Sequence, residues 1–504
     1  MAACFAALPW LARVLVPVGL GLFAALGHES WASGFVSVTV AFVLALLLLP
    51  AERCRAAVFG WLMGLGYFAF TLRWIVEPFF VDIARHGWIA PFAIGLMAGG
   101  LALFWALAFW GARWLAGHGA LVAVWLPVTM TAAELLRGHV FTGFPWGLLS
   151  YTLVGGAADV WFAFVGPHGT GLLLLAVAGG VAYAVQRRRM LVWAGLAVVV
   201  VATFGANALN RSAALADTGS TVRLVQPNAP QHLKWDRAWM PVFFDRAIAQ
   251  TMAGDPADVV IWPETSVPAL LNNADGWLQQ MALAARGAPV VAGIMRRTGE
   301  DFFNSLIVIE GPGDVSDVYD KAHLVPFGEY MPFEWLLEPI GFTRLVQQGG
   351  GFVAGDGRGL IDIAGLGLAR VLICYEGIFP EDMQRGEARA DVLLIITNDA
   401  WFGKDAGPRQ HLVQAQARAI EQGLPVVRAA NTGISAVIDP RGRITAQLGL
   451  NEAGYLDAAV PAPLPSTLYA HMGDWPLTVL LVLATLAGAT IRRRFAIDGA
   501  SARH

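Results

Sequence analysis

The distribution of apolar residues divides the chain into two kinds of region. Over the first 212 residues, apolar stretches of about 20 residues, the length of a membrane-spanning helix, are separated by short polar connections. Seven such stretches lie near 13–29, 33–50, 56–76, 89–112, 120–137, 163–185 and 191–209. An eighth lies near 475–491. This pattern predicts a membrane α-helical bundle of about eight spans.

Residues 219–462 show a different pattern, in which short apolar runs alternate with amphipathic segments of ordinary charge density. The strands predicted there lie at 221–225, 259–262, 289–295, 305–310, 368–374, 392–397, 425–429 and 434–438, and the helices near 235–253, 274–286 and 409–422. Strands that alternate with helices predict one layered α/β domain. We therefore predict a membrane domain over 1–212, an α/β domain over 219–462, and a linker, last span and tail over 463–504.

The composition supports membrane insertion. The chain has 504 residues, of which 56% are hydrophobic and only 14% are charged, whereas soluble domains carry roughly 25% charge. The formal net charge is −3 and no basic patch stands out, so we predict no nucleic-acid partner.

Arginines recur in alternate connections of the predicted bundle. They are Arg53, Arg55, Arg113, the run 187–189 and the run 492–494. Because cytoplasmic loops carry an excess of Arg and Lys, this distribution predicts a cytoplasmic N-terminus. Seven spans then place the α/β domain outside the cytoplasm, and the eighth returns the tail to the inside.

Cys374 follows the apolar run Val371-Leu372-Ile373, and a thiol at the end of a buried strand is well placed for nucleophilic catalysis. Cys4 and Cys54 lie at the cytoplasmic ends of predicted spans. Cys374 therefore has no disulfide partner within its own domain, although the compartment is oxidising. An inert buried cysteine is the alternative interpretation.

Glu264 and Lys321 are candidate partners of this thiol. Glu264 follows the run Val259-Val260-Ile261-Trp262, and Lys321 lies in Tyr319-Asp320-Lys321-Ala322-His323. Nucleophilic catalysis by a thiol needs a base and a group that stabilises developing negative charge, which a carboxylate and an ammonium can supply. A capping Glu and a surface Lys are the alternatives. No CxxC, HExxH or His/Cys cluster is present, so we predict neither a metal nor a cofactor.

Three segments resemble the catalytic segments of the nitrilase superfamily, and more narrowly those of bacterial apolipoprotein N-acyltransferases. They are Trp-Pro-Glu-Thr at 262–265, Lys-Ala-His-Leu-Val-Pro-Phe-Gly-Glu-Tyr at 321–330 and Cys-Tyr-Glu at 374–376. Further similar segments lie at 143–146, 397–403, 407–411, 428–435 and 473–475. The resemblance covers nearly the whole chain. It departs at Asp405, where the family often has Ser, and over 334–360.

The resemblance implies an αββα sandwich with Glu264, Lys321 and Cys374 as the catalytic triad. It also implies the reaction: an acyl chain passes from the sn-1 position of a phospholipid, through a Cys374 thioester, to the α-amino group of the N-terminal diacylglyceryl cysteine of an apolipoprotein. The enzyme would be a monomer in the bacterial inner membrane with its catalytic domain in the periplasm, and it would need no cofactor.

Six further residues are implied as supporting or substrate-binding groups. They are Trp235, Asn304, Glu329, Tyr330, Tyr375 and Glu376. Asn304 would orient Lys321 or donate to the oxyanion, the two tyrosines would shape the acyl pocket, and the two carboxylates match acidic positions around the family's site. Ordinary packing, turn or salt-bridge roles are the alternatives. The apolar segment 331–345 is predicted to dip into the bilayer as a lid, or else to pack on the core.

Two other functions fit parts of the pattern. A membrane-anchored nitrilase-type amidase acting on a small C–N substrate would use the same triad with water as acceptor, but one span would suffice to anchor it. A transporter with an external binding domain would show ionisable groups within its spans, and Glu134 and Arg137 are the only such pair, near the end of one span.

Overall fold

In a computed structural model, the chain folds into two compact units. One comprises Met1–Ala213 with Thr467–His504, and the other comprises Ala214–Ser466. The residues that the structure describes are 5, 7–31, 33–117, 119–212, 214–332, 335, 351–357, 359–384 and 388–501. The two units are called here the helical unit and the α/β unit.

The helical unit is built from apolar α-helices joined by short turns. Their bounds are Trp10–Ala25, Gly34–Leu48, Arg53–Thr71, Glu77–Phe80, Ile83–His86, Ala90–Ala116, Val122–His139, Phe162–Arg187, Met190–Ser212, Leu468–Met472 and Trp475–Ser501. Many large apolar side chains on these helices, including Leu96 and Leu191, are exposed. Large exposed apolar surface indicates contact with lipid rather than water.

Each of the eight predicted spans coincides with a helix, but fewer helices meet the requirements for crossing a membrane. Five stretches are long and apolar enough: Trp10–His28, Ile83–Ala116, Asp159–Arg187, Met190–Asn210 and Trp475–Arg494. A sixth is added if Arg53–Thr71 and Arg73–Phe80, bent by 61°, form one span. Gly34–Leu48 is apolar but short, and Val122–His139 carries two charged residues. Several apolar helices are therefore confirmed, whereas the number eight is not.

The α/β unit contains two six-stranded sheets. The strands, labelled β1 to β12 in chain order, are Asp217–Gln226, Val259–Ile261, Val290–Thr298, Asp301–Glu310, Asp314–Asp320, Leu360–Ile363, Gly367–Ile373, Val392–Thr397, Val426–Ala430, Ser435–Ile438, Ile444–Leu448 and Gly454–Pro461. Their orders are β12-β1-β2-β3-β4-β5 in the first sheet and β11-β10-β9-β8-β7-β6 in the second. Strands β1 to β3 are parallel, as are β7 to β9.

Helices cover the outer face of each sheet. Helices Met240–Met252 and Asp275–Ala284 pack on the first sheet, and Ala406–Gln422 packs on the second. The two remaining faces meet where β1 and β12 contact β9, β10 and β11. This is a four-layer αββα arrangement, as predicted. The central strands are apolar on both faces because both are buried.

Candidate active site

Three strands deliver the predicted triad to one region of the α/β unit. Cys374 and Lys321 come directly after β7 and β5, and Glu264 comes three residues after β2. The three side chains are all buried, at 4%, 1% and 6% exposure respectively. Because β2 and β5 belong to the first sheet and β7 to the second, the site is assembled from both sheets.

Lys321 forms ionic contacts with two carboxylates. Its Nζ lies 2.9 Å from an oxygen of Glu329 and 3.6 Å from Oε1 of Glu264. The amide of Asn304 donates to both carboxylates, over 2.7 Å to Glu264 and 3.0 Å to Glu329. Burial alone would lower the pKa of Lys321, but Glu329 and Glu264 raise it well above its usual value. Lys321 therefore carries its positive charge within the buried site.

Glu264 is held from both sheets. Its Oε1 accepts from Asn304 in β4, and its Oε2 accepts the backbone N–H of Asn398, which follows β8, over 2.8 Å. The side chain of Asn398 in turn donates to Gln231 over 2.9 Å. These contacts fix the carboxylate in one orientation, which a group that must exchange a proton with a neighbour requires.

Cys374 occupies a strained backbone position. Its φ of +53° is in the left-handed region, which is rare for residues other than glycine and is found at functional sites. Burial raises the pKa of its thiol well above its usual value, Glu264 raises it further, and Lys321 partly offsets both. The resting group is therefore a thiol, and its activation needs a base within reach.

Glu376 ties the segments that carry Lys321 and Cys374 together. One carboxylate oxygen accepts from the Tyr319 hydroxyl over 2.7 Å and from the N–H groups of the two residues after Lys321, over 2.8 and 3.1 Å. The other accepts the N–H of the residue before Cys374 over 2.7 Å. Burial raises the pKa of Glu376, and these hydrogen bonds offset part of that rise.

The predicted aromatic residues lie around this cluster. Tyr375 is buried and packs edge-on against Phe379, with ring centroids 5.1 Å apart. Tyr330 is half-buried, and its carbonyl accepts the N–H of Phe327 over 2.8 Å. Trp235 is 41% exposed and lines a shallow pocket that also includes Phe243. Most of the predicted lid over 331–345 lies outside the described residues.

Lys234 is a site residue that the sequence pattern did not reveal. It is 7% exposed, and its Nζ donates to the carbonyl oxygen of Glu264 over 3.1 Å and to Oγ1 of Thr265 over 2.9 Å. Burial lowers the pKa of Lys234 to about 8, although Glu264 and Cys374 act in the opposite direction. The only signal available was its position beside Trp235, and that is too weak to identify it.

A buried ionic cluster behind Cys374 was also missed. His411 lies 2.9 Å from Asp399 Oδ1, and Arg428 donates to Asp399 Oδ2 over 2.5 Å. His411 Nε2 lies 3.2 Å from the carbonyl oxygen of Cys374, and since a carbonyl only accepts, this nitrogen is the donor. Burial raises the pKa of Asp399, but Arg428 and His411 hold it well below its usual value. An arginine within the apolar strand β9 was the available signal, because buried charges need partners.

The α/β unit is a carbon–nitrogen hydrolase domain. A family model described as "Carbon-nitrogen hydrolase" matches residues 221–465, and one described as "Apolipoprotein N-acyltransferase N-terminal domain" matches residues 4–180. Two curated relatives named "Apolipoprotein N-acyltransferase" are similar over nearly the whole chain. That of Rhodopseudomonas palustris is 39% identical and covers 94% of this chain and 94% of its own. That of Caulobacter vibrioides is 38% identical and covers 96% and 95%. The chain belongs to the apolipoprotein N-acyltransferase family.

A solved structure was also matched. It is a CN-hydrolase superfamily protein of Xanthomonas campestris with an arsenic adduct in its active site, 22% identical, covering 53% of this chain and 97% of its own with a TM-score of 0.37.

Proposed function

We propose that the protein transfers an acyl chain from the sn-1 position of a phospholipid, through a thioester on Cys374, to the α-amino group of the N-terminal diacylglyceryl cysteine of apolipoproteins. The observation that carries the proposal is that Glu264 and Lys321 contact each other and both act electrostatically on the buried Cys374 thiol, in a chain of this family. The reaction completes lipoprotein maturation.

In the first half-reaction, Glu264 takes the proton of the Cys374 thiol while the sulfur attacks the ester carbonyl. The negative charge that develops on the carbonyl oxygen is stabilised by the Lys321 ammonium. The tetrahedral intermediate collapses by breaking the C–O bond to the glycerol. The departing alkoxide takes the proton from Glu264, so that lysophospholipid leaves and the acyl group stays on sulfur.

In the second half-reaction, the acceptor amine attacks the thioester carbonyl. Glu264 accepts a proton from the attacking nitrogen, and Lys321 again stabilises the oxyanion. The C–S bond then breaks, which gives the amide, and the sulfur regains its proton. One site can serve both lipid substrates in turn because the covalent intermediate separates the two steps.

The supporting residues act through these groups. Asn304 and Glu329 hold Lys321 and Glu264 in fixed positions relative to each other through their hydrogen bonds. Glu376 fixes the segments that bear Lys321 and Cys374. Tyr330, Tyr375 and Trp235 form part of the substrate-binding surface; of these, the half-exposed tryptophan is the most accessible to a lipid or peptide. No cofactor takes part in either step.

The protein is a membrane-associated enzyme. The Arg-rich connections favour an inner-membrane protein with eight spans, the N-terminus in the cytoplasm and the α/β unit in the periplasm. The membrane phospholipids would be acyl donors, the diacylglyceryl apolipoproteins acceptors, and the enzyme would act as a monomer. The amidase alternative is not favoured, because a second family model matches the apolar N-terminal region.

Trapping of the acyl-enzyme tests the proposal. The purified full-length chain in detergent is mixed with a phospholipid labelled in its sn-1 chain, without acceptor. We expect label that stays on the protein, is released by neutral hydroxylamine and maps to Cys374. Addition of a diacylglyceryl peptide should then move the label to the peptide amine.

The matched control is Cys374→Ser, which keeps the shape of the side chain but has a much weaker nucleophile, and it should retain no hydroxylamine-labile label. If the folded wild-type protein takes up no label from the phospholipid but releases ammonia from small amides, the acyltransferase function is wrong and the amidase function takes its place.

A further inference from the structure

Lysine is used very sparingly in this chain. Of 34 basic residues, only three are lysines: Lys234, Lys321 and Lys404. Lys404 is exposed, whereas Lys234 and Lys321 are both buried next to Glu264. Lysine differs from arginine in being a compact point charge whose pKa shifts readily on burial. Two buried lysines in one site therefore indicate that this property is needed there.

The Lys234 ammonium holds the backbone turn that carries Glu264. It donates to the carbonyl oxygen of Glu264 and to the hydroxyl of Thr265. Thr265 has a φ of +46°, a conformation that strongly disfavours a β-branched residue. Gly293 of β3 also abuts this turn, since a Cβ at that position would lie 2.5 Å from Cα of Glu264. The strained turn is thus confined by Gly293 and held by Lys234.

Lys321 alone does not balance the two carboxylates that it contacts. The carboxylates of Glu264 and Glu329 both lie within 3.6 Å of the Lys321 ammonium, so two negative groups share one cation. Lys234 is a second cation next to Glu264, with which it interacts electrostatically. With both lysines protonated, two cations face the carboxylates of Glu264 and Glu329, which lowers the cost of the negative charge that develops on the sulfur and on the oxyanion.

The two lysines differ in how firmly they hold their protons. Burial lowers the pKa of Lys234 to about 8, although the carboxylate of Glu264 opposes part of that shift. It also contacts two uncharged groups, the Thr265 hydroxyl and the Trp235 ring, whose centroid lies 5.8 Å from Nζ. Lys234 is therefore charged below about pH 8 and neutral above it.

We propose that Lys234 is a positioning residue for Glu264, which fixes the Glu264–Thr265 turn and supplies the second positive charge of the site. The inference rests on the proposed roles of Glu264 and Cys374. If Lys234 only anchored the helix Gln231–Lys234, its hydrogen bonds would be needed but its charge would not. The structural role and the charge role can therefore be separated by the dependence of the rate on pH.

The pH dependence of acyl-enzyme formation tests the charge. Labelled phospholipid is mixed with the wild type, Lys234→Met, Lys234→Arg and the surface control Lys404→Met. The wild type and the Lys404→Met control should lose activity above about pH 8. Lys234→Met should be slowed about 10-fold or more below that pH and should lack the alkaline decline, because it has no charge to lose. Lys234→Arg should recover much of the rate and move the decline to higher pH. An alkaline decline unchanged in Lys234→Met would overturn the proposal.

A second measurement does not depend on activity. The chain labelled with ¹³C at the ε-carbon of lysine has three lysine resonances, which Lys404→Met and Lys234→Met assign. We expect the Lys234 resonance to titrate with a midpoint near pH 8. In Glu264→Gln this midpoint should move to lower pH, since the carboxylate favours the protonated amine. A Lys234 that titrates at its ordinary value of 10.5, or whose midpoint is unchanged by Glu264→Gln, would contradict the proposal.

Failure of the proposed function can be told apart from failure of this inference. If Cys374→Ser still forms the acyl-enzyme, the proposed function fails, whereas the titration decides whether Lys234 is coupled to Glu264.

Discussion

The helical unit and the α/β unit both bury charged side chains, but the two sets are connected differently. In the helical unit, Arg137 donates to the carbonyl of Trp146 over 2.8 Å, and His168 lies 2.9 Å from Asp474, which also accepts from Tyr469 over 3.2 Å. These contacts join one helix or loop of the unit to another. Polar groups of this kind hold apolar helices together where water is scarce.

In the α/β unit, the buried charges are gathered around a nucleophile. Oε1 of Glu264 receives the Asn304 amide and lies 3.6 Å from the Lys321 ammonium, which also contacts Glu329. Loss of one group therefore changes the charge felt by the others, including the Cys374 thiol. Strongly coupled and shifted groups are typical of reactive sites. The comparison teaches that a nucleophile within the charged cluster, rather than burial of charge as such, distinguishes chemistry from structural support.

The sharpest test of this difference is Lys321→Met. The substitution removes the cation that stabilises the oxyanion and deprives Glu264 and Glu329 of the ammonium that they share. We expect the rate of acyl-enzyme formation to fall about 10²- to 10³-fold, the typical effect of losing one oxyanion-stabilising group. Single-turnover kinetics with labelled phospholipid measure it, and the exposed Lys404→Met serves as control. A rate within threefold of the wild type would show that Lys321 has only a structural role.

A smaller effect is expected at His411, which donates a hydrogen bond to the Cys374 carbonyl. His411→Leu removes the donor, whereas the amide of His411→Gln places an N–H near the same point. One such bond contributes about 1 kcal/mol, so His411→Leu should slow acyl-enzyme formation about 5- to 10-fold. His411→Gln should stay near the wild-type rate.

Thermal unfolding of both variants separates this effect from general destabilisation, since both lose the contact of the imidazole with Asp399. If the two variants are slowed equally, the hydrogen bond to the carbonyl of Cys374 is not what positions the nucleophile, and the cluster supports the fold alone.

The strands that the sequence pattern predicted and those it missed differ in their place in the sheets. The central strands, such as β7 and β8, were found because burial on both faces makes them continuous apolar runs. The four strands β5, β6, β11 and β12 were not predicted, and they are the four edges of the two sheets. Edge strands face water along much of their length, so polar residues interrupt their pattern, as in Asp314–Asp320.

The same limit applies to the site. Glu264, Lys321 and Cys374 could be proposed because each stands in a distinctive segment of sequence. Lys234 could not, since it acts on the carbonyl oxygen of Glu264 and on Thr265, about thirty residues away along the chain. His411 likewise acts on a backbone atom of Cys374. Contacts to backbone atoms of distant residues leave no pattern in a single sequence, because any residue offers the same carbonyl.

The smallest expected effect on the chemistry belongs to Asp474→Asn in the helical unit. The amide can still bond to His168 and Tyr469, but the charge that strengthens these contacts is lost. We expect the free energy of unfolding in detergent to fall by about 1 kcal/mol. The rate at which a short-chain chromogenic ester acylates Cys374 should not change, because this substrate needs only the α/β unit. If acylation instead slows tenfold while the unfolding midpoint stays the same, the charge of Asp474 contributes to the reaction, and a nucleophile within the cluster is not what separates the two units.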